Sequence, residues 1–184
     1  MALQRLANTA DVLIEGFRPG VADRLGAGYA ALSASNPRLI YCSLTGYGQD
    51  GPRAQEAGHD INYLAYTGVL GSIGPTDRPP ALPLNVIADM AGGGMLAVIG
   101  ILAALHERSR TGLGQHIDAA MVDGCLSLMA MHFPVWGTDA MPGLVALRGR
   151  EARVECGWRP AEQFQAEHID FEPAGDAAHF EGPC

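Results

Sequence analysis

The chain has 184 residues, a length that fits one domain of ordinary size. Twelve Lys and Arg against twenty Asp and Glu leave a net charge of −8, which excludes the basic footprint that nucleic acid or an anionic membrane surface requires. Apolar residues make up 48% and charged residues 17%, enough to bury a core and too apolar for intrinsic disorder, while 24 glycines signal turns and close backbone approaches.

Asp11–Glu15 is a short apolar run stopped by Gly16, the pattern of a buried strand. Pro19 suits the first turn of a helix running to about Leu25, and Gly26 suits its stop. Tyr29–Ala34 predicts a second short helix, closed by Asn36-Pro37, and Arg38–Thr45 a second strand. Strand, helix, helix, strand is the rhythm of a parallel α/β sheet. A polar, glycine-rich loop follows from Gly46 to Gly58, and loops after strands are where ligands collect in such sheets. Asp60–Thr67 reads as a helix capped by Asp60, and Gly71–Pro83 as a loop. A long helix opens near Asp89 and runs to about Glu107; its apolar centre predicts burial on all sides. After a turn at Arg110–Gly114, Gln115–Met121 reads as a strand and Val122–Met131 as a helix. No element is predicted within residues 145–184. Residues 1–135 form the expected domain, and residues 136–184 a divergent, poorly ordered tail.

The longest apolar run, Met90–Leu105, is sixteen residues with four glycines. It falls short of the ~20 residues that span a bilayer, so no membrane span is expected. The N-terminus carries no apolar segment of signal-peptide length, and Cys42, Cys125, Cys156 and Cys184 form no C-x-x-C pair. Reduced thiols, a cytoplasmic location and no zinc site are the corresponding expectations.

Two residues stand out for chemistry. His59 ends the glycine-rich loop, where an imidazole titrating near neutral pH can act as a general base; capping or plain solvent exposure is the blander alternative. Asp89 is a lone carboxylate at the mouth of an apolar helix, either an N-cap or a functional acid. Gly92-Gly93-Gly94 follow it, each costing ~1 kcal/mol of helix propensity against Ala, so a ligand or another helix must approach closely there. Free N–H groups at that terminus would suit a developing oxyanion. Arg18 and Arg24 flank a turn after a strand and fit phosphates or a solvated face equally. His106, His116, His132, His168 and His179 lack partners at ligand spacing and read as structural or exposed. Gly46-x-Gly48-x-x-Gly51 spells a dinucleotide fingerprint, but Pro52 follows where a helix should open, so it is rejected.

Five segments in order carry a resemblance: Asp11–Leu25, Asn36–Pro52, Gly58–Tyr63 (GHDINY), Asn85–Met95 (NVIADMAGGGM) and Arg110–Asp118 (RTGLGQHID). Together, over about residues 5–135, they resemble the family III CoA-transferase superfamily, and within it most closely the α-methylacyl-CoA racemases. The resemblance implies an α/β, Rossmann-like parallel-sheet fragment of the family's large domain with a long buried helix, and a homodimer. It implies that His59 and Asp89 form an acid/base pair racemising 2-methylacyl-CoA thioesters. Family transferases instead use the aspartate matching Asp89 as a nucleophile and typically lack the histidine. Acyl-CoA would then be the substrate, with no separate cofactor. The resemblance assigns Gly58, Asp60, Ile61, Asn62 and Tyr63 to acyl-CoA contact, lines the site with Asn85, and sets Arg18 and Arg24 near the CoA phosphates. The family's N-terminal segment and small domain have no counterpart here, so the chain is expected to be the interior of a longer domain, and an inactive remnant is a third reading.

Overall fold

The fold is described from a computed structural model, for residues 2–75, 78–134, 150–154 and 169–173. Its centre is a three-stranded parallel sheet in the order β1 (Val12–Glu15), β2 (Ile40–Thr45), β3 (His116–Ala120). Val12 pairs with Ile40, and Tyr41 with His116. The middle strand β2 is flanked on both edges and covered on both faces, which is why its sequence, Ile-Tyr-Cys-Ser-Leu-Thr, is a nearly unbroken apolar run.

Alternation along β2 sorts its side chains to the two faces. Ile40 and Cys42 meet Ala97, Ile101 and Ala104 of helix α5 (Leu96–Thr111). Tyr41 faces the other way, with Leu32 of α3 (Tyr29–Ser33) and Ala7 of α1 (Ala2–Ala7). The Tyr41 hydroxyl donates to the Ala27 carbonyl, and Asn36 Nδ2 donates to the carbonyls of Ala7 and Ala10, tying α1 to the turn before β2. Helix α2 is one turn, Val21–Arg24. Arg108, buried near the end of α5, donates to the carbonyls of Asp11 and Arg38 and to the Asp11 carboxylate at 2.8 Å, fastening the helix across the starts of β1 and β2.

A separate core lies beyond the C-terminal ends of the strands. Tyr63 and Leu64 of α4 (Asp60–Tyr66), Leu70 in a 3₁₀ turn (Leu70–Ser72), Ala88, and Val122 and Cys125 of α6 (Met121–Leu128) pack there. The predicted strands and most helices are found within two residues of their expected ends. Helix α1 is an addition, as are β4 (Arg150–Val154) and β5 (Ile169–Pro173), an antiparallel pair inside the stretch read as featureless. The rest of that tail, with Cys156, Cys184, His168 and His179, lies outside the described residues.

The long helix needs two corrections. It starts at Val86 rather than Asp89, and its first ten residues, Val86–Met95, are π-helical, so the continuous helix is 26 residues, Val86–Thr111. Nor is it buried on all sides. Ala97, Ile101, Ala104 and Arg108 recur every three or four residues and face the sheet, while Val98, Ile99 and Leu102 on the opposite side are exposed. An all-apolar pattern cannot tell which faces one chain covers. By length and composition this helix also passes for a membrane span, where a sixteen-residue run does not.

Candidate functional site

In a parallel sheet all strands end on one side, and here the loops after β1 and β2 and the start of α6 meet there. Gln55 Nε2 donates to the Pro19 carbonyl, joining the glycine-rich loop to the turn that carries Arg18. The Asp118 carboxylate in the middle of β3 accepts from Gln49 N–H at 2.8 Å and holds the near end of the same loop. Arg18 and Arg24 are exposed on the β1 side.

The loop's two roots share one side chain. A Cβ on Gly46 or on Gly58 would strike the ring of Tyr63, so both residues must be glycine for the ring to lie between them. Tyr63 is 6% exposed and packs edge-on to Tyr47, with ring centroids 5.1 Å apart. Arg53 lies over the Tyr66 ring at 4.6 Å and pairs with Glu56, stiffening the outer part of the loop.

His59 follows at the loop's end and is exposed. It is the residue that starts α4, in place of Asp60: Asn62 Oδ1 accepts from His59 N–H at 3.0 Å, and the His59 carbonyl accepts from Asn62 N–H. Asp60 does something else. It is 5% exposed, and its Oδ2 accepts from the N–H groups of both Ala88 and Asp89 at 2.8 Å. A π-helix leaves five N–H groups at its start without an internal acceptor. A carboxylate from another helix takes two of them, so those two donors are not open to an oxyanion. Asp60 Oδ1 is buried without a hydrogen-bond partner among the described residues.

Asp89 is half-buried in the π-helical segment and is not its cap. Burial pushes its carboxyl above the usual carboxylate range, and the Asp60 charge pushes the same way. A hydrogen bond from exposed Asn85 and the charge of His59 pull it down. His59, Asn85 and Asp89 are thus close enough to act on one another, while Ile61 and Asn62 are half-buried alongside.

The triple glycine is explained in part by α6. A Cβ on Gly92 would lie 3.0 Å from the Met121 carbonyl oxygen, one on Gly93 would press on Met121 and Leu44, and one on Gly124 would run into the backbone of Gly92. Helix against helix at backbone distance is the close approach that the run demanded. A Cβ on Gly94 would meet only the Asp89 carbonyl, at 3.5 Å. Sequence reasoning missed the Asp60 clamp, because its partners stand 28 and 29 positions away. His116 is structural: it bonds to Ser43 Oγ and stacks on Tyr29. Among the described residues no three His, Cys, Asp or Glu side chains cluster as a metal site.

Comparison with known proteins gives a consistent picture. The sequence profile of CoA-transferase family III matches residues 1–167, running past the resemblance expected over about residues 5–135. The human alpha-methylacyl-CoA racemase is 48% identical over 148 residues, covering 80% of this chain and 38% of that protein. The acetyl-CoA:oxalate CoA-transferase of Acetobacter aceti is 42% identical over 144 residues, covering 78% and 37%. A crystal structure of a CAIB/BAIF family protein from Brucella suis superposes with a TM-score of 0.71 at 40% identity, covering 76% of this chain and 36% of that one. The chain thus spans less than two-fifths of the length of these relatives.

Proposed function

The chain belongs to CoA-transferase family III, and on that footing we propose that it carries the acid/base centre of an acyl-CoA racemase. The observation that supports this best is the placement of His59. Its charge acts on the Asp89 carboxyl, which also accepts a hydrogen bond from the side-chain amide of Asn85. Relatives of both reaction types match this sequence, so the histidine carries the choice between them.

The chemistry follows from the thioester. Its carbonyl acidifies the α-carbon, and one group removes the α-proton from one face while the other delivers a proton to the opposite face. In one direction His59 takes the proton and Asp89, as the neutral acid, gives one back; in the other the roles exchange. A carboxyl pushed upward in pKa serves the donating step, because it holds its proton closer to neutral pH. Asn85 is the side-chain donor on hand for the enolate oxygen. Arg18 and Arg24, exposed on the β1 side, would meet the CoA phosphates, and the outward members of Gly58–Tyr63 the acyl-CoA. In this reading acyl-CoA is the substrate and no separate cofactor takes part. A homodimer belongs to the same proposal.

The second reading, a transferase using Asp89 as nucleophile, has the support of the 42% identical oxalate enzyme. Incubation of a 2-methylacyl-CoA with the protein in D2O separates the two. Deuterium entering the α-carbon supports racemisation. CoA passing to a free acid without α-exchange sinks it, and neither activity leaves an inactive fragment.

A further inference from the structure

We propose that Asp60 is the positioning residue that fixes Asp89 relative to His59, by binding the backbone of the Asp89 turn from within the helix that His59 starts. The inference rests on the acid/base reading of His59 and Asp89, and deepens it. Asp60 is joined to His59 by one peptide bond. Its Oδ2 holds the N–H of Asp89 itself, and of Ala88 before it, both at 2.8 Å. The path from imidazole to carboxyl therefore runs through one buried side chain and two short, charge-assisted hydrogen bonds.

Two further facts set this apart from ordinary capping. Capping carboxylates sit at the start of their own helix and are largely exposed, whereas Asp60 is buried and caps a different element. Its second oxygen, Oδ1, is buried with no hydrogen-bond partner among the described residues. Stability alone does not favour a half-satisfied carboxylate in a core, since an apolar residue of that size would avoid the desolvation cost. A buried carboxylate kept at such a cost fits a role in placing Asp89 and in biasing its charge. The groups facing Asp89 are Asp60 from α4, His59 beside it, Asn85 just before the π-helical segment and the Cys125 thiol from α6. Of these, Asp60 brings the charge that disfavours the Asp89 carboxylate.

Asp60→Asn and Asp60→Ala test this, by a readout that needs no turnover and by one that does. In the first, amide hydrogen exchange is followed at Ala88 and Asp89, with 13C titration of the Asp89 carboxyl. Asp60→Ala should deprotect these two amides selectively, and Asp60→Asn should move the Asp89 titration downward while keeping the amides protected. In the second, kcat for α-proton exchange should fall about tenfold or more in Asp60→Asn with KM little changed, and the limb of the pH profile set by Asp89 should shift to lower pH. An Asp60→Ala protein that keeps both amides protected and the Asp89 titration in place overturns the proposal. So does an active Asp60→Asn protein with unchanged kcat and pH profile. If both variants unfold, the wild-type amides decide, and fast exchange at Ala88 and Asp89 in the native protein overturns it. A wild-type chain that exchanges no α-proton removes the racemase reading alone, because the amide and titration results still test the clamp.

Discussion

Replacing Gly124 by alanine should be among the most damaging single-methyl changes in this chain. A Cβ at that position runs into the carbonyl oxygen, carbonyl carbon and Cα of Gly92, well inside van der Waals contact. All three are backbone atoms, and an alanine methyl has no rotamer by which to avoid them. Carbon atoms are comfortable at ~3.5–4.0 Å, so α6 and the π-helical segment must part by on the order of 1 Å. Overpacking of this kind costs ~1–3 kcal/mol and more where backbone must move. Alanine returns ~1 kcal/mol as a better helix former than glycine, leaving a net loss of about 2 kcal/mol. Gly94→Ala is the matched control: its Cβ would meet only the Asp89 carbonyl at 3.5 Å, so the propensity gain of up to ~1 kcal/mol should survive. Urea midpoints for the three proteins at pH 7 measure the ordering, Gly94→Ala at or above the parent and Gly124→Ala well below. A Gly124→Ala protein as stable as the parent would refute the backbone contact. Where α-proton exchange is measurable, a ~1 Å displacement of the turn bearing Asp89 should also cost on the order of a hundredfold in rate.

Other expectations follow from buried and shifted groups. Burial and the nearby Asp60 charge push the Cys125 thiol up to about 11, and burial likewise raises that of Cys42. Both should resist iodoacetamide at pH 8 in the native protein and react once urea unfolds it; labelling of Cys125 at the rate of a free thiol would contradict its placement. Asp89 has a carboxyl raised in the folded state, so its ionised form costs stability above that pKa, and the cost disappears as pH falls below the unfolded value. Asp89→Asn should therefore melt higher than the parent at pH 7, with the difference closing toward about pH 4. A gap constant across that range would mean that the charge is not the cause.

The sheet was legible because its strands are short apolar runs bounded by Gly, Pro and Asn, a signal that survives without tertiary context. The approach of a second helix was legible as a need, in three glycines with no local reason, though not which helix would answer it. Asp60 was read as a cap because a carboxylate at the head of a helical stretch usually is one. Nothing in residues 58–63 marks that its oxygen turns to an amide 29 positions on. Helix α1 was not legible: six residues with no cap signal hold their shape through Ala7 in the core and the Asn36 bond, both of which depend on the finished fold. The exposed side of α5 was misread because apolar spacing records preference, not coverage.

The ring of Tyr63 between Gly46 and Gly58 divides the loop's work. Both roots are anchored on one side chain of the helix that begins at His59. The eleven residues from 47 to 57 can therefore change in length and sequence without carrying the imidazole with them, provided the two glycines and the ring stay. Variation along the loop and the placement of the imidazole are thus assigned to different stretches of chain. A fold arranged in this way can be edited in a surface loop while the start of the helix that carries His59 stays where it is.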